Sequence, residues 1–310
     1  MYRKGVKTMK IAFMFSPQGA QYAGMGKDLY TASEIVKKRI DQANALLDYD
    51  LKDVLFNNEA LLKQTRYVQP ALFTLSVAIK DLMNSKGVYS SGSVGLSLGE
   101  YGAIYDRGGF SFETGITLIE TRAKAMEDAT QQTSGSMAAV SASLETIHPL
   151  VDQIDDLYIA NYNLENQYVI SGSIDAVEAF KTHAKAHGIR RVRLLNTAGA
   201  FHSPLMNQAI SPFEAVINDL TLNEPSNGLY LNTTGNRYVS NLKSHMIKQI
   251  TSPVKFYPAI QAMIADGYDT FIELGVKNTL ASMVKKIDKS VHTYHVEDCT
   301  TLENVLKELK

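Results

Sequence analysis

Val94-Gly95-Leu96-Ser97-Leu98-Gly99-Glu100-Tyr101 sets one serine between two glycines, where a short apolar strand hands over to a helix. That is the form of a nucleophile elbow. The glycines allow a sharp turn and leave room around the hydroxyl, while backbone N–H groups at the start of the following helix point at charge developing on a bound acyl oxygen. A G-x-S-x-G run alone is equally compatible with an ordinary strand-to-helix turn, so the rest of the chain decides between the two.

Working outward, Lys10-Ile-Ala-Phe-Met-Phe15 reads as a buried strand, followed by the polar loop Ser16-Pro17-Gln18-Gly19-Ala20-Gln21 and then helical sequence. Strand, loop and helix thus occur twice. Helical periodicity runs over residues 70–83 and 112–129, with Gly108-Gly109 ending the elbow helix and Ser111 an N-cap for the next. This half reads as α/β with a buried sheet. The middle differs: Met137-Ala-Ala-Val140 strand, helix 144–154, Tyr158-Ile-Ala-Asn161 and Tyr168-Val-Ile170 strands, helix 176–186, Val192-Arg-Leu-Leu195 strand. That βαββαβ order is the split βαβ of a ferredoxin-like domain. Ser134-Gly135-Ser136 and Asn196-Thr-Ala-Gly199 are the crossing points, which places a large domain at 9–132 and 198–310 and a small one at 133–197. After His202 helix and strand alternate again, with Thr270-Phe-Ile-Glu-Leu274 a buried strand and 301–309 a terminal helix.

The 310 residues carry 45% hydrophobic residues, enough for a substantial core. Lysines and arginines number 31 against 32 aspartates and glutamates, so no overall basic field argues for nucleic acid or anionic lipid. No apolar run is long enough to span a bilayer. The start Met1-Tyr2-Arg3-Lys4 lacks the apolar core and cleavage site of a signal peptide, and Met9 is an alternative initiator. One cysteine, Cys299, permits no internal disulfide and no cysteine-built metal site, so a cytoplasmic protein is the expectation.

Arg122 stands out by pattern. Leu118, Ile119, Arg122, Ala123 and Met126 share one face at helical spacing, so the guanidinium emerges from a core-facing stripe. A charge that cannot be lost must there meet an anion. Two anions fit: an internal carboxylate such as Glu100, or a bound ligand.

Several separate motifs then occur in one order: Gln18-Gly19-Ala20-Gln21, Tyr67-Val68-Gln69-Pro70-Ala71, the elbow, Arg122 with Met126, Asn161-Tyr162-Asn163, Phe201-His202-Ser203, and residues 249–256. With these the chain resembles, over nearly its whole length after Met9, the malonyl-CoA:acyl carrier protein transacylases of bacterial fatty acid synthesis and the related acyltransferase domains of polyketide synthases. The resemblance implies an α/β-hydrolase-like large domain with an inserted ferredoxin-like small one, and transfer of a malonyl group from malonyl-CoA to the phosphopantetheine thiol of acyl carrier protein. It implies Ser97 as nucleophile and His202 as its base, where a bare reading of His202 would offer only a capping or solvated histidine. It also implies Leu98 and Gln18 as backbone oxyanion donors, and the Gln249 carbonyl as the group that orients the imidazole, with a side chain of little consequence. Arg122 would grip the malonyl carboxylate, Phe201 would crowd a branched α-carbon, and Gln69, Met126, Asn161 and Asn163 would line the site. The acidic carrier would dock on Arg190, Arg191 and Arg193 with Lys285 and Lys286. No metal or redox cofactor is called for, and the family is commonly monomeric.

Three departures from the family pattern are visible. Leu96 stands where most members carry histidine, Ser16-Pro17 replaces Pro-Gly, and Gly275-Val276-Lys277-Asn278 replaces a Gly-Pro-Gly segment. They leave room for a trans-acting polyketide acyltransferase, a serine thioesterase, or a non-catalytic carrier-binding relative.

Overall fold

Behind the serine turn lies a parallel sheet. In the computed structural model, which describes residues 9–309, strand β1 (Ile11–Phe15) pairs in parallel with β2 (Gly92–Gly95), from Ala12 beside Gly92 to Phe15 beside Gly95. The basic start of the chain and the choice of initiator Met1 lie outside the described residues. Every residue of β1 from Ala12 to Phe15 is fully buried. Because successive side chains alternate, Phe13 and Phe15 enter the main core while Ala12 and Met14 enter a second core on the other face.

The last helix between β1 and β2 runs Thr65–Ser85 and starts before Pro70, since a buried face through Thr65, Val68 and Gln69 outweighs the one hydrogen bond proline cannot make. After β2 come the serine turn and the helix Gly99–Asp106. The next helix, Phe112–Gln132, is capped as expected by Ser111, whose hydroxyl accepts from the Thr114 N–H, and it buries Leu118, Ile119, Arg122, Ala123 and Met126 together.

A second sheet follows: β3 (Gly135–Val140), helix Leu144–Val151, β4 (Leu157–Leu164), β5 (Gln167–Ser173), helix Ile174–Ala186 and β6 (Val192–Leu194). It is antiparallel throughout, in the order β4-β5-β3-β6, over its own core of Val140, Ile147, Ile170 and Phe180. Its edge strand β4 is tied to the rest of the molecule by two backbone bonds, Tyr162 N–H to Val254 O at 2.9 Å and Val254 N–H to Ala160 O at 2.8 Å.

The chain then returns. A hairpin of β7 (Tyr230–Leu231) and β8 (Asn236–Arg237) leads through helices Leu242–Gln249 and Phe256–Ala265 to β9 (Thr270–Leu274), helix Thr279–Ile287, β10 (His292–Val296) and helix Cys299–Glu308. The first sheet is thereby completed in the order β10-β9-β1-β2, all parallel. Among the described residues no helix is long and apolar enough to cross a membrane.

The two elbow glycines are demanded by contact distance. A Cβ on Gly95 would lie 1.9 Å from the Gly99 carbonyl carbon, and one on Gly99 would lie 2.0 Å from the Phe15 carbonyl oxygen. Strand, turn and helix therefore pack backbone against backbone. Gly95→Ala is expected to lower unfolding free energy by about 1–3 kcal/mol or more through overpacking, read as a fall in the urea midpoint; an unchanged midpoint would mean the turn is looser than described.

Candidate active site

The turn that ends β2 puts Ser97 in the left-handed region, φ 55°, where a residue with a Cβ is strained. Asn232 holds it there. Its Oδ1 accepts from the Ser97 N–H at 2.7 Å and its Nδ2 donates to the Gly95 carbonyl at 2.7 Å, while its own backbone N–H donates to the Glu100 carboxylate. Asn232 is fully buried just after β7, and nothing local in the sequence marks it; only its position across the turn reveals the role. The Ser97 N–H is thereby occupied. Among the described residues the N–H groups of Leu98 and Gln18 donate to no protein acceptor.

Ser97 Oγ lies 2.7 Å from His202 Nε2, and His202 Nδ1 lies 3.0 Å from the Gln249 carbonyl oxygen. A carbonyl only accepts, so Nδ1 carries the proton and Nε2 presents a lone pair to the hydroxyl. His202 is also in the left-handed region, φ 59°. The serine and its histidine are thus two of the five non-glycine residues so strained among those described, as expected where surrounding structure over-determines a site. Burial, then the nearby Arg122 charge, holds His202 down to about 4, against the Gln249 carbonyl that favours the protonated ring. At neutral pH it is an uncharged base.

Arg122 is fully buried. Its Nη1 donates to Gln69 Oε1 at 2.7 Å, and its Nη2 donates to Gln249 Oε1 at 3.1 Å and Ser97 Oγ at 3.2 Å. Its carbon stands 5.4 Å from the Tyr101 ring centroid. None of these hydrogen-bond partners is a carboxylate. Glu100, the internal partner weighed from the sequence, turns instead to Asn232, and burial pushes it up to about 7. The cation is therefore held by two amide oxygens and the serine hydroxyl, with no carboxylate bonded to it.

The expectation that the Gln249 side chain matters little is corrected by this arrangement. Besides accepting from Arg122, its Nε2 donates to the Ser97 carbonyl at 2.9 Å. One residue thus touches the histidine, the arginine and the serine, through backbone and side chain together. Gln69 also approaches Gln18 Oε1 at 3.5 Å and Met126 Sδ at 3.8 Å, so both neighbours join the site at long range. Phe201 is buried in the main core next to His202.

Asn161 and Asn163 are buried on β4 but make no hydrogen bond to this cluster, and the Asn163 amide oxygen has no donor among the described residues. Leu96 packs into the second core with Val94 and Tyr230, so its side chain turns away from the serine hydroxyl. Arg190, Arg191 and Arg193 are exposed, and Arg191 shares with Lys286, Gln167 and Tyr257 a cleft of about 360 Å3. Lys285 does not join them, since its ammonium donates to the Lys289 and Val291 carbonyls at 2.8 and 3.0 Å. His202 itself faces a cleft of about 310 Å3 lined by Leu157, Ile159 and Tyr162 of β4 together with Pro204 and Thr251.

Comparison with known proteins gives a consistent picture. The family model described as acyl transferase domain matches residues 12–309. The malonyl CoA-acyl carrier protein transacylase of Bacillus subtilis (strain 168) is 33% identical over 309 residues, covering 97% of this chain and 98% of the relative. Among solved structures, the malonyl transacylase of Streptococcus pneumoniae superposes with a TM-score of 0.93 at 36% identity, over 96% of this chain and 100% of the other. A malonyl-transacylase solved in complex with its type II polyketide synthase acyl-carrier protein superposes at 0.92 with 28% identity, over 96% and 99%.

Two outcomes follow from the geometry and need no assumption about substrate. Labelling of Ser97 by a fluorophosphonate should stay level from pH 8 to about 5 and fall only as pH drops through about 4, because the folded His202 takes its proton there; a midpoint at the ordinary 6.5 would refute the buried base. The unfolded chain takes that proton at about 6.5, so His202 subtracts stability progressively between 6.5 and 4. Asn232→Ala should slow the same labelling by about ten- to a hundredfold while His202 stays in place, and a wild-type rate would show that the turn holds itself.

Proposed function

The chain belongs to the acyl transferase domain family, and on that premise we propose that it moves a malonyl group from malonyl-CoA to the phosphopantetheine thiol of an acyl carrier protein through a malonyl ester on Ser97. The observation that carries this reading is the buried Arg122 guanidinium 3.2 Å from the serine hydroxyl, hydrogen-bonded to neutral oxygens and to no carboxylate. A cation so close to the nucleophile meets the far end of a short acyl chain. Malonyl ends in a carboxylate at that distance, and acetyl has nothing to offer it. A carboxylate also binds a guanidinium through two parallel charge-assisted bonds, which neutral amides do not match, so Gln69 and Gln249 yield their places when substrate arrives.

In the first half-reaction His202 Nε2 takes the Ser97 proton as Oγ attacks the thioester carbonyl. The backbone N–H groups of Leu98 and Gln18 receive the tetrahedral oxygen, where one such donor is worth roughly 3 kcal/mol. Collapse expels the CoA sulfur, which takes the proton from His202. In the second half-reaction the carrier thiol gives its proton to His202 and attacks the malonyl ester, and Ser97 recovers the proton as it leaves. Only an acyl group and protons move, so neither half-reaction calls for a metal or a redox group. The Gln249 carbonyl keeps Nδ1–H in place through both halves.

Phe201 beside His202 favours malonyl over methylmalonyl by filling the space a branch would need. The carrier, being acidic, docks on Arg191 and Lys286 at their shared cleft, with Arg190 and Arg193 adding to the field. We assign residues 9–132 and 198–310 to an α/β-hydrolase-like body and 133–197 to a ferredoxin-like insertion; the β4-β5-β3-β6 order supports that reading. A monomer acting in the cytoplasm completes the proposal.

Incubation with malonyl-CoA should leave a malonyl adduct on the intact protein that Ser97→Ala abolishes and that added carrier protein discharges to malonyl-carrier. Free malonate as the sole product would make the protein a thioesterase, and no adduct on folded protein would reject the reading. Arg122→Ala should cut malonyl transfer by about a hundredfold or more while acetyl transfer holds or rises; equal losses for both would make Arg122 structural.

A further inference from the structure

Glu273 takes no part in the chemistry above, yet it is fully buried at the C-terminal end of β9, in register with Met14 of β1. A carboxylate is rarely kept in such a place without partners and a use. Its Oε1 accepts from the Ser16 hydroxyl at 3.0 Å, and its Oε2 accepts from the Ala281 N–H at 2.9 Å, in the first turn of helix Thr279–Ile287. Burial pushes the carboxyl up to about 7, while the Ala281 N–H and the Ser16 hydroxyl pull it back.

Ser16 is the last residue anchored before the loop. Its N–H continues the β1–β9 ladder to the Leu274 carbonyl at 3.3 Å, and Pro17, lacking an N–H, ends that ladder. Gly275 leaves the hydroxyl its place, since a Cβ there would lie 2.6 Å from it, and the Leu274 carbonyl at 3.4 Å is a weaker second acceptor beside Glu273. Beyond Gln18 the loop is held again, with the Gly19 N–H donating to Gln21 Oε1 at 2.7 Å and Gln21 Nε2 donating to the Leu62 carbonyl at 3.1 Å. Gln18 thus sits between two anchors, and the upstream one is the serine–glutamate bond. A proline at position 16 would restrain the backbone covalently through its ring; a serine there needs a hydrogen bond to do the same.

We infer that Glu273 is a positioning residue for the Gln18 backbone donor, acting through the Ser16 hydroxyl and tying that donor to the first turn of helix Thr279–Ile287. The inference rests on the transferase reading, in which the Gln18 N–H receives the acyl oxygen. A donor displaced by a fraction of an ångström weakens the transition state and leaves ground-state binding through Arg122 untouched.

The test uses the full chain with Ser16→Ala, Glu273→Gln and the double variant, measuring kcat and KM for malonyl-CoA, the fluorophosphonate labelling rate of Ser97, and Tm. Ser16→Ala should lower kcat by about tenfold with KM within about twofold. Glu273→Gln offers one acceptor oxygen to two donors, so it should lower kcat by no more than Ser16→Ala does, and the double variant should be no worse than Ser16→Ala alone, because both act on the same link. Wild-type kcat in Ser16→Ala, a change confined to KM, or losses that multiply in the double variant would overturn the inference. Should Glu273→Gln fail to fold, Ser16→Ala decides alone, since it leaves the Glu273 bond to Ala281 intact. If the wild-type protein forms no malonyl adduct, the transferase reading falls by itself; slower fluorophosphonate labelling in Ser16→Ala would still support the positioning role, and an unchanged rate would sink that too.

Discussion

No side chain fits between the serine turn and the sheet behind it, and from that close approach the rest of the site follows. With Gly95 against Gly99 and Gly99 against the Phe15 carbonyl, the helix Gly99–Asp106 starts almost in contact with β1. Ser97 is left at the crest in a left-handed conformation that serine does not prefer. The strain is held by Asn232, which takes the Ser97 N–H and the Gly95 carbonyl at once. Tight backbone packing fixes where the hydroxyl is, and the asparagine fixes how it points.

Electrostatically the site is built to be incomplete. A neutral histidine, a permanent cation and three amide side chains are packed out of water, and the nearest internal acid, Glu100, is engaged elsewhere and pushed toward its neutral form. Burying a guanidinium without a carboxylate costs folding free energy, which amide oxygens offset only in part. The same cation lowers the histidine and accepts no proton itself, so one charge helps keep the base neutral.

Much of the architecture was legible along the chain because burial imposes a period. β1, β9 and the helix Phe112–Gln132 announced themselves by apolar runs or by the i, i+3, i+4 stripe, and the Ser111 cap by local chemistry. The motif positions Ser97, His202, Gln249, Arg122 and Gln69 stand within hydrogen-bond reach of one another, although 152 residues separate the first from the third. Asn232, Glu100 and Glu273 were not legible as parts of one site. Each is a single polar residue in an apolar setting, and such a residue carries no periodic signal that names its partner.

What the sequence by itself determined are local quantities: a turn that only glycine can flank, a helix face that only burial explains, and a charge that burial cannot remove. Tertiary structure alone decided the pairings. It took Glu100 away from Arg122 and gave it to Asn232, turned Leu96 into the core, directed the Lys285 ammonium to backbone carbonyls, and made the Gln249 side chain a bridge between cation and nucleophile. The reason is physical: propensity and periodicity act between residues a few positions apart, whereas which buried donor meets which buried acceptor depends on distances that exist only once the sheets and helices have closed around them.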